Sequence, residues 1–135
     1  MADTLQFELV TPMRIAYSGA VAMVEVPGEL GDFGVLPGHA PFMSMIRPGV
    51  LTVHESNDVI KRFFIPAGYA EVNPEGCVVL AEQFRDLLTL DADTVRNEIE
   101  EAKAALAQAQ DEVAKSYATR QLTAAEALLS ALTGK

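Results

Sequence analysis

One cysteine, Cys77, is all the thiol chemistry that this 135-residue sequence offers. That excludes an intramolecular disulfide framework and any cysteine-cluster zinc site, and it fits a reducing compartment. Basic residues are also scarce: 10 Lys and Arg against 19 Asp and Glu leave a net charge of -9. No window supplies the basic footprint that a nucleic-acid binder needs, so a nucleic-acid partner is excluded. The opening residues MADTLQFELV carry neither a basic start nor an apolar stretch long enough for a signal peptide. No run approaches the ~20 apolar residues of a membrane span. The expectation is a soluble chain, made and kept in the cytoplasm, with no direct membrane insertion.

The usual catalytic signatures are missing as well. There is no P-loop, no zinc-protease helix motif, no paired-cysteine motif and no nucleophile elbow. Gly28, Gly31, Gly34 and Gly38 are dense, but no helical pattern follows them, so the helix N-terminus that would hold a phosphate is lacking. His39 and His54 are the only histidines, and neither has a second ligand at helical or strand spacing. They read as structural or surface residues. Cys77 sits in the apolar run Cys77-Val78-Val79-Leu80 and reads as a small buried hydrophobe. Carboxylates abound, but no pair stands out as an acid–base couple. The expectation is no catalytic residue, no metal site and no enzyme in its own right.

What is present is a core and a sharp change of character. Half the residues are hydrophobic and only 21% are charged, which excludes disorder as the global state. All seven prolines, and every glycine but Gly134, precede residue 90. From Asp91 to Thr133 there is neither, and alanine is abundant. Gly and Pro punctuate turns, whereas Ala, Leu, Glu, Lys and Gln favour helix. The composition predicts a β-rich domain over 1–88 and a helical one over 89–135.

Strand character is read over Leu5–Val10, Ala20–Val26, Phe42–Ile46, Val50–Glu55, Val59–Ile65, Tyr69–Val72 and Cys77–Glu82. Turn signals such as Pro27-Gly28, Pro48-Gly49 and Asn73-Pro74-Glu75-Gly76 separate these runs, and many short strands so spaced predict a sandwich or barrel. Leu51-Thr52-Val53-His54 and Ala70-Glu71-Val72-Asn73 alternate, predicting one buried and one wet face. Between strands lies Gly28–Pro41. It is either a tight connection or a rigid loop that presents Glu29 and Asp32 to a partner.

Beyond residue 90, Thr89, Asp91 or Asp93 can cap a helix. Val95, Ile99, Ala102, Leu106 and Ala109 form one apolar stripe. Val113, Tyr117, Ala125, Leu128 and Leu132 form a second, widened by Leu122 and Leu129. Paired antiparallel, the two stripes could bury one another, with a turn near Gln110–Lys115. One unbroken helix of about 40 residues is the rival, since no Gly or Pro marks the turn. Charge favours the hairpin: residues 91–112 carry seven acidic and two basic side chains, net -5, and residues 113–135 carry one acidic and three basic, net +2. Exposed pairs give only ~0–1 kcal/mol each, so they bias the arrangement without deciding it.

The segment GDFGVLPGHAP from Gly31 to Pro41, followed by Ile46-Arg47-Pro48-Gly49, closely resembles the epsilon subunit of F-type ATP synthases (delta in mitochondria). Phe7–Pro12 with Tyr17-Ser18-Gly19, and Ala67-Gly68-Tyr69-Ala70-Glu71-Val72, fit that family too. The resemblance covers essentially the full chain. It implies a flattened β-sandwich of about ten strands followed by an α-helical hairpin, in a non-catalytic rotor subunit of the central stalk. Family members bind the gamma subunit with the sandwich and rest on the polar loops of the membrane c-ring. By that resemblance Glu29, Leu30, Gly31, Asp32 and Phe33 contact the ring, and Asp32 pairs with a basic ring residue. His39, Ala40, Pro41 and Phe42 fall at the gamma contact. The location implied is peripheral, on the cytoplasmic side of a bacterial inner membrane. The runner-up reading is a free-standing acidic β-sandwich adaptor or small-ligand binder.

In some relatives the hairpin brakes rotation by extending toward the alpha and beta subunits, and some bind ATP at the start of the first helix. Of that ATP motif, Ala92-Asp93-Thr94-Val95-Arg96-Asn97 keeps Asp93 and Arg96 but departs at Ala92 and Asn97, and of the arginine cluster that accompanies it the second helix offers only Arg120. An intrahelical pair of Asp93 with Arg96 is preferred over a nucleotide site, so no cofactor is expected. With only Lys115, Arg120 and Lys135 as basic residues from 113 onward, weak or absent inhibition of ATP hydrolysis is expected.

Overall fold

A computed structural model describes residues 4–134. The chain divides into two compact units, Met1–Leu88 and Thr89–Lys135. The first holds ten strands: β1 (Leu5–Val10), β2 (Ile15–Val21), β3 (Met23–Gly28), β4 (Gly31–Val35), β5 (Phe42–Ile46), β6 (Gly49–His54), β7 (Ile60–Ile65), β8 (Gly68–Asn73), β9 (Gly76–Ala81) and β10 (Arg85–Asp86). The order across the sheet is β10-β7-β6-β3-β5-β8-β9-β1-β2, with β4 attached to β3. Neighbours are antiparallel except β1 and β9, which run parallel.

The sheet curls on itself into a sandwich. Strand β3 is the corner: β4 pairs with it over Val24–Gly28, so β6 at Met23–Glu25 and β5 at Gly28 must share its other edge in succession. Curling brings the ends of the sheet together. Tyr17 of the edge strand β2 lies against Phe63 of β7, with ring centroids 6.1 Å apart. The inward residues of all layers then meet in one cluster, including Phe7, Leu9, Val24, Leu51, Val53, Ile65, Val72 and Val79. Burial alternates along the strands as the pleat requires: Leu51 and Val53 are buried while Thr52 and His54 are half-buried.

Several sequence expectations need correction. The run read as Ala20–Val26 spans two strands, the end of β2 and most of β3, with Ala22 between them. Gly28–Pro41 is not wholly a loop, since Gly31–Val35 is β4. The two-residue strand β10 was not foreseen.

The second unit holds α1 (Ala92–Gln108) and α2 (Glu112–Thr133), which pack together as a hairpin. The unbroken 40-residue helix is excluded, because the chain leaves helical geometry over 109–111. Ala109 and Asp111 are both extended there. Asp111 restarts the helix as its N-cap, its carboxylate accepting a hydrogen bond from the Ala114 N–H at 2.8 Å. Asp91 occupies the cap position of α1 without a side-chain bond, and Asp93 lies in the first turn. The first stripe is buried at Val95, Ile99 and Ala102, with Leu106 half-buried. The second is corrected at its start: Val113 is 80% and Tyr117 59% exposed, and burial begins at Ala118 and continues at Ala125 and Leu128.

Candidate functional site

Strands β3 and β4 form a tongue whose two-residue turn is Glu29–Leu30. Gly28 pairs with Gly31 across its base. No non-glycine residue described here has a positive φ, and the left-handed conformation falls on Gly31 at φ 140°. Gly28 has no space for a side chain, since an added Cβ would stand 2.6 Å from the Gly31 carbonyl oxygen and 2.9 Å from the Phe33 ring. These glycines let the two backbones close tightly, so the turn projects. Leu30 at its tip is 100% exposed.

The tongue is fastened at its base. The Glu29 N–H donates to the Met45 carbonyl at 2.8 Å, and the Arg47 N–H donates to the Pro27 carbonyl at 3.0 Å. The Arg47 guanidinium reaches the Gly28 carbonyl at 2.6 Å and the Asp32 carboxylate at 2.5 Å. Phe33 packs against the core and meets Phe42 edge to face, with centroids 5.2 Å apart.

All five residues expected at the ring thus sit on one tongue, Glu29 and Leu30 in the turn and Gly31, Asp32 and Phe33 in β4. The four expected at gamma follow a second tight turn. The His39 N–H donates to the Leu36 carbonyl at 3.2 Å, with Gly38 between at φ 82°, the geometry of a Pro-Gly type II turn. His39 Nδ1 lies 2.7 Å from the Ala40 carbonyl oxygen. Ala40 and Pro41 are exposed, and Phe42 opens β5. The ring contact of Phe33 with Phe42 joins the two groups into one continuous surface.

Two things escaped the sequence reading. One is Arg47, which lies 15 positions from Asp32. The other is an apolar row on the outer face. Met43 and Met45 alternate with the buried side of β5, and Met45 pairs with Tyr69, which pairs with Leu80. Met43, Met45 and Tyr69 are all exposed. The alternation of Met43 and Met45 against Ile46 was the available signal.

Elsewhere the geometry is structural. Arg96 bonds Asp93 at 2.9 Å one turn away on α1, both side chains exposed. His54 Nε2 lies 2.5 Å from the Glu25 carboxylate. Burial pushes the Cys77 thiol up to about 12, which keeps it protonated near neutral pH. The Tyr17 phenol is raised by desolvation and by the Glu55 carboxylate that accepts its hydrogen bond. Among the described residues no cluster of His, Cys, Asp and Glu could hold a metal ion, and no helix is long and apolar enough to cross a membrane.

The family described as ATP synthase, Delta/Epsilon chain, beta-sandwich domain matches residues 4–86. An ATP synthase epsilon chain from Rhodospirillum rubrum is 43% identical over 134 residues, covering 99% of this chain and 100% of that one. The chain belongs to the ATP synthase delta/epsilon family. The epsilon chain of Maricaulis maris is 42% identical over 128 residues, covering 95% of this chain and 96% of its own.

Solved structures share the fold. A chain in the Euglena gracilis mitochondrial ATP synthase, resolved with OSCP, F1 and c-ring, superposes with a TM-score of 0.83 at 24% identity. That superposition covers 98% of this chain and 83% of the other. A chain from the central stalk and c-ring of the Tetrahymena thermophila mitochondrial enzyme gives 0.66 at 14% identity, covering 95% and 96%.

Proposed function

We propose that this family member works as a non-catalytic central-stalk subunit that couples c-ring rotation to the catalytic head of an F-type ATP synthase. The observation that carries the reading is the tongue. A fully exposed Leu30 beside the exposed Glu29 stands on a base held by four hydrogen bonds. An apolar tip with an adjacent charge suits contact with a polar loop, and a rigid base suits transmission of torque.

Because Asp32 is engaged by Arg47, the carboxylate best placed for a basic ring residue is Glu29. Gamma docks on the adjoining surface from His39 to Phe42, and the outer face of the same strand and its neighbour β8 adds Met43, Met45 and Tyr69. Exposed apolar rows of this kind mark protein contacts. The subunit has no active site of its own, is peripheral to the membrane, and stands on the cytoplasmic side in a bacterial host.

The hairpin is at most a weak regulator of hydrolysis through contact with alpha and beta. No ATP is held at Asp93 and Arg96, whose pair serves the first turns of α1. Calorimetric titration of the full chain with ATP tests this: no binding heat at millimolar ATP is expected, and heat abolished by Arg96→Ala would overturn it. The coupling role is tested by a tagged pull-down from solubilised membranes. Gamma, alpha, beta and c subunits in fixed ratio are expected. Recovery of the chain alone, from cells with intact synthase, would reject it.

A further inference from the structure

Strand β4 is the weakly held side of the tongue. Among the described residues its single strand partner is β3, and it lies off the path along which the other strands pair. A two-stranded ribbon is marginal by itself, so what ties its second strand decides how stiffly the tip is carried. Val35 anchors the far end of β4 in the core, and nearer the tip two side-chain fastenings reach it. One is apolar, Phe33 against Phe42. The other is the Arg47 guanidinium, which grips both strands at once through the Gly28 carbonyl of β3 and the Asp32 carboxylate of β4.

Arg47 itself stands on the main body. It directly follows β5, and its backbone N–H is bonded to Pro27. A sideways load on Leu30 would bend the ribbon near Pro27–Gly28, which is where the fork of the guanidinium spans. A planar fork with fixed donor directions resists such bending better than a point charge on a flexible stem.

We propose that Arg47 is a positioning residue for torque transfer, holding the Glu29–Leu30 tip in register with the ring without touching the ring itself. The inference rests on the reading of Glu29–Phe33 as the ring contact. Its worth is geometric. As an ion pair, with both side chains well exposed, it adds little to global stability.

The test uses the ATP synthase reconstituted in vesicles with the full chain carrying Arg47→Met, Arg47→Lys or Leu30→Glu. Methionine keeps the apolar stem and removes the fork, while lysine keeps the charge and reaches one acceptor. The primary readout is protons pumped per ATP hydrolysed. The second is amide hydrogen exchange of the free chain at Gly31–Phe33, with Leu51 and Val79 as core references.

Arg47→Met is expected to lower the pumping ratio about twofold or more, as a site loosened in its support does. It should also speed exchange at Gly31–Phe33 with no change at Leu51 or Val79. Arg47→Lys should recover part of both, which a general loss of stability would not. If Leu30→Glu lowers the ratio while Arg47→Met leaves it at the wild-type value, the positioning role is refuted and the ring contact stands. If both variants pump like wild type, the ring-contact reading falls and takes this inference with it. If Arg47→Met does not assemble, unchanged exchange at Gly31–Phe33 in the free Arg47→Met chain refutes the proposal.

Discussion

The Tyr17 hydroxyl donates a hydrogen bond to the Glu55 carboxylate across 38 positions of chain. The bond ties the edge strand β2 to the residue just past β6, two strands far apart in the order of the sheet. The Tyr17 ring lies between Phe7 and Phe63, with centroids at 5.8 Å and 6.1 Å. One side chain therefore closes the sandwich twice, by packing and by a charge-assisted bond. Tyr17→Phe keeps the packing and removes the bond. It should cost about 1 kcal/mol, since the site is only part-buried, read as a lower urea midpoint with an unchanged slope.

Alkaline pH should unfold the first unit through Cys77. Burial raises its thiol from 9.0 to about 12, so between those values the folded chain keeps a proton that the unfolded chain has lost. Stability is then complete below pH 9 and falls as pH rises, at about 1.4 kcal/mol per pH unit for this one group. Tyr17, also raised, acts in the same direction. Cys77→Ala should make the urea midpoint less sensitive to pH between 9 and 11, despite a lower value at neutral pH. An equally steep decline in the variant would remove Cys77 as the cause.

Two glycines should respond differently to alanine. At Gly76 an added Cβ would lie 2.1 Å from the Gln6 carbonyl oxygen, in the parallel pairing of β1 with β9. Backbone must move there, so Gly76→Ala should destabilise by about 3 kcal/mol or more. Gly31 has open space around it but a φ of 140°, so Gly31→Ala meets backbone strain alone, about 1–3 kcal/mol. Thermal unfolding of the two variants gives the order, and local exchange should place the Gly31→Ala effect in the tongue.

Truncation after Leu90 removes the helical unit while leaving the sandwich strands whole. With few basic residues in that unit to hold a braking contact, the hydrolysis rate of the assembled enzyme should change little. Several-fold activation would show the hairpin to be a strong brake.

The parts of the fold legible in the sequence are those where local pattern and burial agree. Leu51-Thr52-Val53-His54 alternates because one face of β6 is core and the other is not. Strand β4 was hidden because Gly31, Asp32 and Gly34 carry no strand propensity, and pairing with β3 creates the strand. Val113 and Tyr117 have the right helical phase, yet they lie in the turns next to the hairpin bend and remain exposed. Phase fixes which residues share a face but does not fix where the partner helix begins to cover it. At the site, the motif marked the tongue and the turn after it. The grip of Arg47 on Asp32 depends on β3, β4 and β5 converging, which no local pattern encodes.

The most direct test of the central claim is photocrosslinking within the assembled enzyme, from a reactive group at Leu30 and another at Met45. The account predicts that the Leu30 product contains the c subunit and the Met45 product contains gamma. Crosslinks from Leu30 that never include c, in enzyme that still synthesises ATP, would contradict it.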